Sequence, residues 1–194
     1  MRHSITKRNH ADSLHESSLA FWMIEFMHDN PLLPLFKNPY RLLEAAGLEP
    51  GQIVIEVGCG PGFFTIPAAK IVGKDGLIYA IDVNHRAVKR VEGKMQKYRI
   101  ANIKPILGNA ADSGLPEQSI DLVFIFGLRY VAGGLSNLIS GIHTILKPEG
   151  ILSFEKTMGS DEQLLREVET AGFTFTGKKG RILIFKKGGN GQYS

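Results

Sequence analysis

A single cysteine, Cys59, in 194 residues leaves no intramolecular disulfide to form and rules out a zinc site built on cysteines. His15, His28 and His143 have no partner at metal-ligand spacing, so no metal site is expected. No uncharged run reaches the ~18 to 20 residues of a membrane span. The opening stretch "MRHSITKRNHADSLHESS" lacks the apolar core of a signal peptide. These absences point to a cytoplasmic protein with no membrane association.

What is present is an ordinary globular balance. Hydrophobic residues make up 43% and charged residues 22%, which is the soluble folded class, and the length suits one domain with a sizeable core. The net charge is +4, carried largely by two clusters. Arg86, Lys89, Arg90, Lys94 and Lys97 recur at helical spacing, and Lys178, Lys179, Arg181, Lys186 and Lys187 lie near the C-terminus. No aromatic residues interleave with either cluster as a base-stacking surface requires. They read as a solvated helix face and a charged edge hairpin, and nucleic acid is not the expected partner.

From residue 51 onward strands and helices alternate. Strands are expected at 52–57, 76–83, 103–108, 120–126 and 151–156, with helices at 63–72, 84–99, 134–146 and 160–172 between them. Asn84 and Ser160 stand where N-caps belong, and Gly172 where a helix stops. "FTFTG" and "RILIFKK" close the chain as a hairpin around a basic turn. The expected fold is α/β: a doubly wound, mostly parallel seven-stranded sheet with an antiparallel C-terminal hairpin strand and helices on both faces. Residues 1–50 differ in character. An amphipathic helix over 13–30, with Leu19, Trp22, Met23, Phe26 and Met27 on one stripe, reads as an N-terminal helical cap or lid. Residues 51–187 form the α/β domain, and 188–194 a flexible tail.

The chemistry concentrates in "VIEVGCGPGFFTIPAA", residues 54–69, where an apolar strand ends in three glycines and runs into an apolar helix. A dinucleotide loop needs G-x-G-x-x-G. Counted from Gly58 the last position is Phe63, and counted from Gly60 it is Thr65, so both registers fail. The residues read instead as acid-x-G-x-G-x-G: Glu56, Gly58, Gly60 and Gly62, with Cys59 as packing filler between two glycines. This pattern resembles the first motif of the class I S-adenosylmethionine-dependent methyltransferases, whose fold is Rossmann-like. The resemblance implies S-adenosylmethionine as cofactor. Glu56 would attract its ammonium, and loop N–H groups would meet its carboxylate. Gly58 and Gly60 would let the backbone pass close to the ribose and methionine parts.

Other segments agree in order. Asp82 ends the second strand 20 residues beyond Gly62, where a carboxylate accepts hydrogen bonds from ribose hydroxyls; its alternative role is to start the next helix. Val83 would pack on the adenine face. In "LGNAADSGLP" Asn109 stands where the family's aspartate is common, with Ala110 beside it, and its amide oxygen would accept from the adenine amino group unless it only forms a turn. "QSIDLVFIF" resembles the fourth motif, putting Phe126 against the cofactor, and "ILKPEGILSF" resembles the family's LKPGG turn with Glu149 in place of a glycine. The resemblance covers roughly residues 40–187 and leans toward the quinone-biosynthesis group.

"FGLRYV" lacks the Pro-Pro-Tyr and Pro-Cys signatures of adenine and cytosine methylation, so a small-molecule acceptor is expected. Arg129 and Tyr130 are the acceptor-side candidates, with helix start and core contact as their plainer roles. The alternatives are a protein that holds S-adenosylmethionine or a nucleoside without transfer, and an RNA- or protein-directed methyltransferase. The assembly is expected to be a monomer or homodimer.

Overall fold

The computed structural model of the chain describes residues 38–127, 133–155 and 160–188. The predicted 13–30 helix, Arg129, Tyr130 and residues 189–194 lie outside these. Seven strands form one sheet: β1 (Ile53–Val57), β2 (Leu77–Asp82), β3 (Ile103–Leu107), β4 (Ile120–Phe126), β5 (Leu146–Glu155), β6 (Phe173–Lys179) and β7 (Ile182–Lys187). Their order is β3-β2-β1-β4-β5-β7-β6. β1 to β5 run parallel, while β7 runs against both β5 and β6. The hairpin therefore inserts β7 beside β5 and leaves β6 at the edge.

The strands form because their apolar runs are buried on both faces by helices. α1 (Pro39–Ala45), α2 (Thr65–Val72) and α3 (His85–Tyr98) cover one face, where Leu43, Ala69, Val72 and Val91 pack on Val54, Ile78, Leu122 and Phe124. α4 (Leu135–Ile145) and α5 (Asp161–Thr170) cover the other, where Leu138, Ile142, Leu164 and Val168 pack on Ile55, Val123, Ile125 and Leu152. α1 is fastened to the sheet by the Ser153 hydroxyl, which donates to the Ala46 carbonyl at 2.6 Å. Asn84 and Ser160 cap α3 and α5 as expected, each accepting from a backbone N–H in the first turn.

β5 begins earlier than the predicted residue 151. Ile120 pairs with Leu146 and Leu122 with Ile151, so Lys147–Gly150 bulge out of a strand that has already started. Glu149 adopts φ 62 there, the left-handed region that the more usual glycine enters without strain. Asp121 anchors the bulge: one carboxylate oxygen takes the Lys147 ammonium at 2.6 Å and the other the Ile53 N–H at 2.8 Å.

Candidate active site

Strand order reverses between β1 and β4, and ligands of doubly wound sheets bind at the carboxyl ends of the strands at such a point. The glycine loop leaves β1 there. Gly58 and Cys59 both donate to the Ile81 carbonyl, at 2.8 and 3.1 Å. Gly60 N–H donates to Asp82 Oδ2 at 2.9 Å, and Gly62 N–H to the Cys59 carbonyl at 3.0 Å. Gly58, Cys59 and Gly60 thus bind the loop to the end of β2 and Gly62 closes a turn within it, so these loop N–H groups, the kind expected to meet a ligand carboxylate, have partners inside the fold. The donor end that remains is the start of α2, whose N-cap Phe64 offers no capping side chain.

The glycines serve two different purposes. Gly62, at φ 86, lies under α3, where an added Cβ would meet Val91 Cγ2 at 3.3 Å. Gly60, at φ 51, has nothing among the described residues within 4 Å of an added Cβ, so the space beside it is open. Gly60→Ala should therefore cost about 1–2 kcal/mol of backbone strain but place a methyl group in the ligand's space. We expect S-adenosylhomocysteine affinity to fall at least ~10-fold in calorimetric titration, with the variant still folded. Unchanged affinity would mean that no ligand approaches this backbone.

Glu56 is 3% exposed, at the end of β1. Its Oε2 accepts from the Thr65 hydroxyl at 2.5 Å, the one hydrogen bond of this carboxylate among the described residues. Burial pushes its pKa up to about 8; the Thr65 hydrogen bond opposes the rise and the nearby Asp82 charge adds to it. A buried carboxylate with acceptor capacity to spare fits an ammonium. Burial raises the Cys59 thiol well above its usual range, with Glu56 and Asp82 adding to the effect, and the side chain packs into the core. That environment suppresses the thiolate and suits the packing reading.

Asp82 combines both roles considered for it. Besides holding Gly60, its Oδ1 accepts from Asn84 N–H at 2.8 Å just before α3. Val83 is 51% exposed at this edge. Leu107, the register partner of Asp82, is 53% exposed beside it. Sequence reasoning missed Leu107. The signal was the pairing of the ends of β2 and β3. Asn109 Oδ1 accepts from Ala111 N–H at 3.0 Å and caps the short 3-10 turn Ala110–Asp112, so the oxygen assigned to adenine also shapes the turn. Ala110 is buried beneath it. α4 presses on the same turn, since a Cβ on Gly141 would stand 2.4 Å from the Ala111 carbonyl oxygen. Phe126 is buried, its ring edge-on to Phe64 at 5.1 Å and tilted against Phe124 at 5.0 Å.

Comparison with known proteins agrees with this arrangement. Residues 48–180, more than half of the chain, match a methyltransferase-domain family. Demethylmenaquinone methyltransferase of Geobacillus stearothermophilus is 32% identical over 111 residues, 57% of this chain and 47% of that protein. The ubiquinone/menaquinone biosynthesis C-methyltransferase UbiE of Hydrogenovibrio crunogenus is 30% identical over 146 residues, 73% of this chain and 56% of that protein. The chain thus spans about half the length of the curated relatives it matches. In fold it is similar to a SAM-dependent methyltransferase from Aquifex aeolicus, with a TM-score of 0.72 at 24% identity over 86% of this chain and 96% of that one. With an acid-x-G-x-G-x-G loop at the switch point of this sheet, the chain belongs to the methyltransferase-domain family, in its class I, S-adenosylmethionine-dependent branch.

Proposed function

We propose that the protein transfers a methyl group from S-adenosylmethionine to a small-molecule acceptor. The observation that carries this reading is Glu56: a buried carboxylate with one hydrogen bond among the described residues, on the strand that leads into the glycine loop. When bound, S-adenosylmethionine supplies an activated methyl on a sulfonium that becomes neutral on transfer. The chain's own work is to hold the reactants in line. Glu56 takes the ammonium, the uncapped start of α2 the carboxylate, and Asp82 the ribose. Val83, Leu107 and the Asn109 turn enclose the adenine. Such alignment can supply about 7–11 kcal/mol of the barrier without a dedicated catalytic side chain.

A nicotinamide dinucleotide fits poorly, because its pyrophosphate needs the loop N–H groups that Ile81, Asp82 and Cys59 occupy. The small-molecule acceptor is supported by the relatives named for demethylmenaquinone and ubiquinone/menaquinone. It is also supported by the C-terminal basic cluster. Lys178 pairs with Asp161, Lys186 with Glu149, and Lys187 donates to the Leu146 carbonyl, so these cations serve the fold.

A thermal-shift panel of S-adenosylmethionine, S-adenosylhomocysteine and NAD tests the reading. At a hundredfold excess over the dissociation constant a ligand adds about 2.7 kcal/mol, or roughly 5–10 °C for a chain of this size. We expect that shift with S-adenosylhomocysteine and none with NAD. A larger shift with NAD overturns the proposal. Binding without transfer of labelled methyl to any hydroquinone would leave a cofactor-holding protein.

A further inference from the structure

A cavity opens at the other end of the sheet from the cofactor cleft. It lies at the amino ends of β2 and β3, where Leu77 begins one strand and Asn102 precedes the other. Asp82 and Leu107 end those strands at the cleft, so about 16 Å of β2 separates the two places. The cavity holds about 550 Å³, within the range of small-ligand sites. Its walls are the last turn of α2, the loop from α2 to β2, and the loop from α3 to β3. The Asn102 side chain fastens these walls together. Its amide nitrogen donates to the Ala69 carbonyl at 2.8 Å and to the Gly73 carbonyl at 2.7 Å.

The lining divides into two kinds of group. Ala69 and Gly76 are buried and Leu77 and Ile100 half-buried, which makes an apolar floor. Lys70, Lys74 and Arg99 are exposed and edge it with positive charge. Lys74 pairs with its neighbour Asp75 at 3.6 Å. Lys70 and Arg99 have no side-chain hydrogen bond or ion pair among the described residues. The carbonyl end of a helix ordinarily repels an anion. Here the Asn102 amide covers two of the last carbonyls of α2, and Gly51 N–H takes that of Val72 at 2.8 Å. The unpaired cations are left to set the field.

Arg99 holds its place against the preference of its backbone. It ends α3 in the left-handed region, at φ 54 and ψ 46. Its N–H bonds the Gln96 carbonyl, and Ile100 N–H bonds that of Met95 at 2.9 Å. This is a Schellman stop, whose left-handed residue is usually glycine because a Cβ is strained there. Glycine would end α3 without strain, but only arginine puts a guanidinium at the cavity. Strain kept where a simpler residue would serve the fold points to a ligand.

We propose that this cavity is a second ligand site, which takes a phosphate monoester carried on a flat apolar ring. The ring lies on Ala69, Leu77 and Ile100. The phosphate meets Lys70 and Arg99, whose paired N–H groups match two phosphate oxygens. A phosphate monoester carries close to two negative charges at neutral pH and balances both cations, whereas a carboxylate balances one. The site stands independently of the methyl-transfer reading, because it shares no residue with the cofactor cleft.

Equilibrium dialysis of the full chain tests it, with 4-methylumbelliferyl phosphate, its parent 4-methylumbelliferone and inorganic phosphate as probes. Wild type should bind the ester at least ~10-fold more tightly than either of the other two, and saturating S-adenosylhomocysteine should not displace it. Arg99→Gly should melt no lower than wild type, since it removes a strained residue, yet bind the ester at least ~10-fold more weakly. Lys70→Gln should weaken the ester in the same way, and both variants should hold S-adenosylhomocysteine within about threefold of wild type. An ester bound no better than inorganic phosphate overturns the proposal. So does its displacement by S-adenosylhomocysteine, which would put the probe in the cofactor cleft. So does a folded Arg99→Gly protein with unchanged ester affinity. If Arg99→Gly fails to fold, unchanged affinity in Lys70→Gln overturns the proposal in its place.

Discussion

Glu56→Gln is expected to stabilise the ligand-free protein and to disable its cofactor site. In the unfolded chain this carboxyl titrates near 4.5, and in the folded protein at about 8. Between those values the folded state keeps a proton that the unfolded state has released, so wild-type stability falls as pH rises through that window. Glutamine can still accept the Thr65 hydroxyl but has no charge to bury. The variant should therefore match wild type near pH 4.5 and exceed it progressively up to pH 8, by on the order of a few kcal/mol, in denaturant titrations at fixed pH.

Cofactor binding moves the other way. An ammonium favours the ionised carboxylate, so between pH 5.5 and 7.5, roughly where the ligand's own amino group remains charged, wild-type affinity should rise about tenfold per pH unit. Binding near pH 7 should release about one proton, read by calorimetry in buffers of different ionisation enthalpy. Removing one partner of a buried charge pair costs about 2–5 kcal/mol. Glu56→Gln should then weaken S-adenosylhomocysteine at pH 7.5 by roughly 30-fold or more and flatten the pH dependence. An unchanged dissociation constant would remove Glu56 from the site.

Where the sequence was readable, the reason is local. The parallel strands are apolar runs because the sheet is covered on both faces, and Asn84 and Ser160 cap the helices that follow them because a capping side chain acts within three residues. Glu56 and Asp82 stood out by their position at strand ends. What escaped depends on residues far apart in the chain. Whether the Gly60 N–H is available to a ligand turns on Asp82, 22 residues away, and four apparent donors prove to be occupied. Lys147–Gly150 carry the residues of a turn, yet Ile120 had already drawn Leu146 into the sheet. Leu107 looks unremarkable in the chain, and only register sets it beside Asp82.

Asp82→Ala should produce the other large loss, about 100-fold in S-adenosylhomocysteine affinity, because this carboxylate joins three parts of the site. It holds the Gly60 N–H and the Asn84 N–H, and in the proposed complex it also reads the ribose. Hydrogen bonds to a charged group contribute about 1.5–3 kcal/mol each, and a donor left unpaired costs about 1–3 kcal/mol. The variant should thus also melt lower, by about 2–4 °C per kcal/mol lost. Asparagine does not replace aspartate here. Its amide has one oxygen for two N–H donors, so its NH2 group must face either Gly60 or Asn84, and Asp82→Asn should lie close to alanine. The ribose role separates from the loop role through an analogue lacking both ribose hydroxyls. Wild type should prefer the parent ligand by at least ~10-fold, and Asp82→Ala by less than about threefold. If the preference survives the mutation, Asp82 shapes the loop and another group reads the ribose.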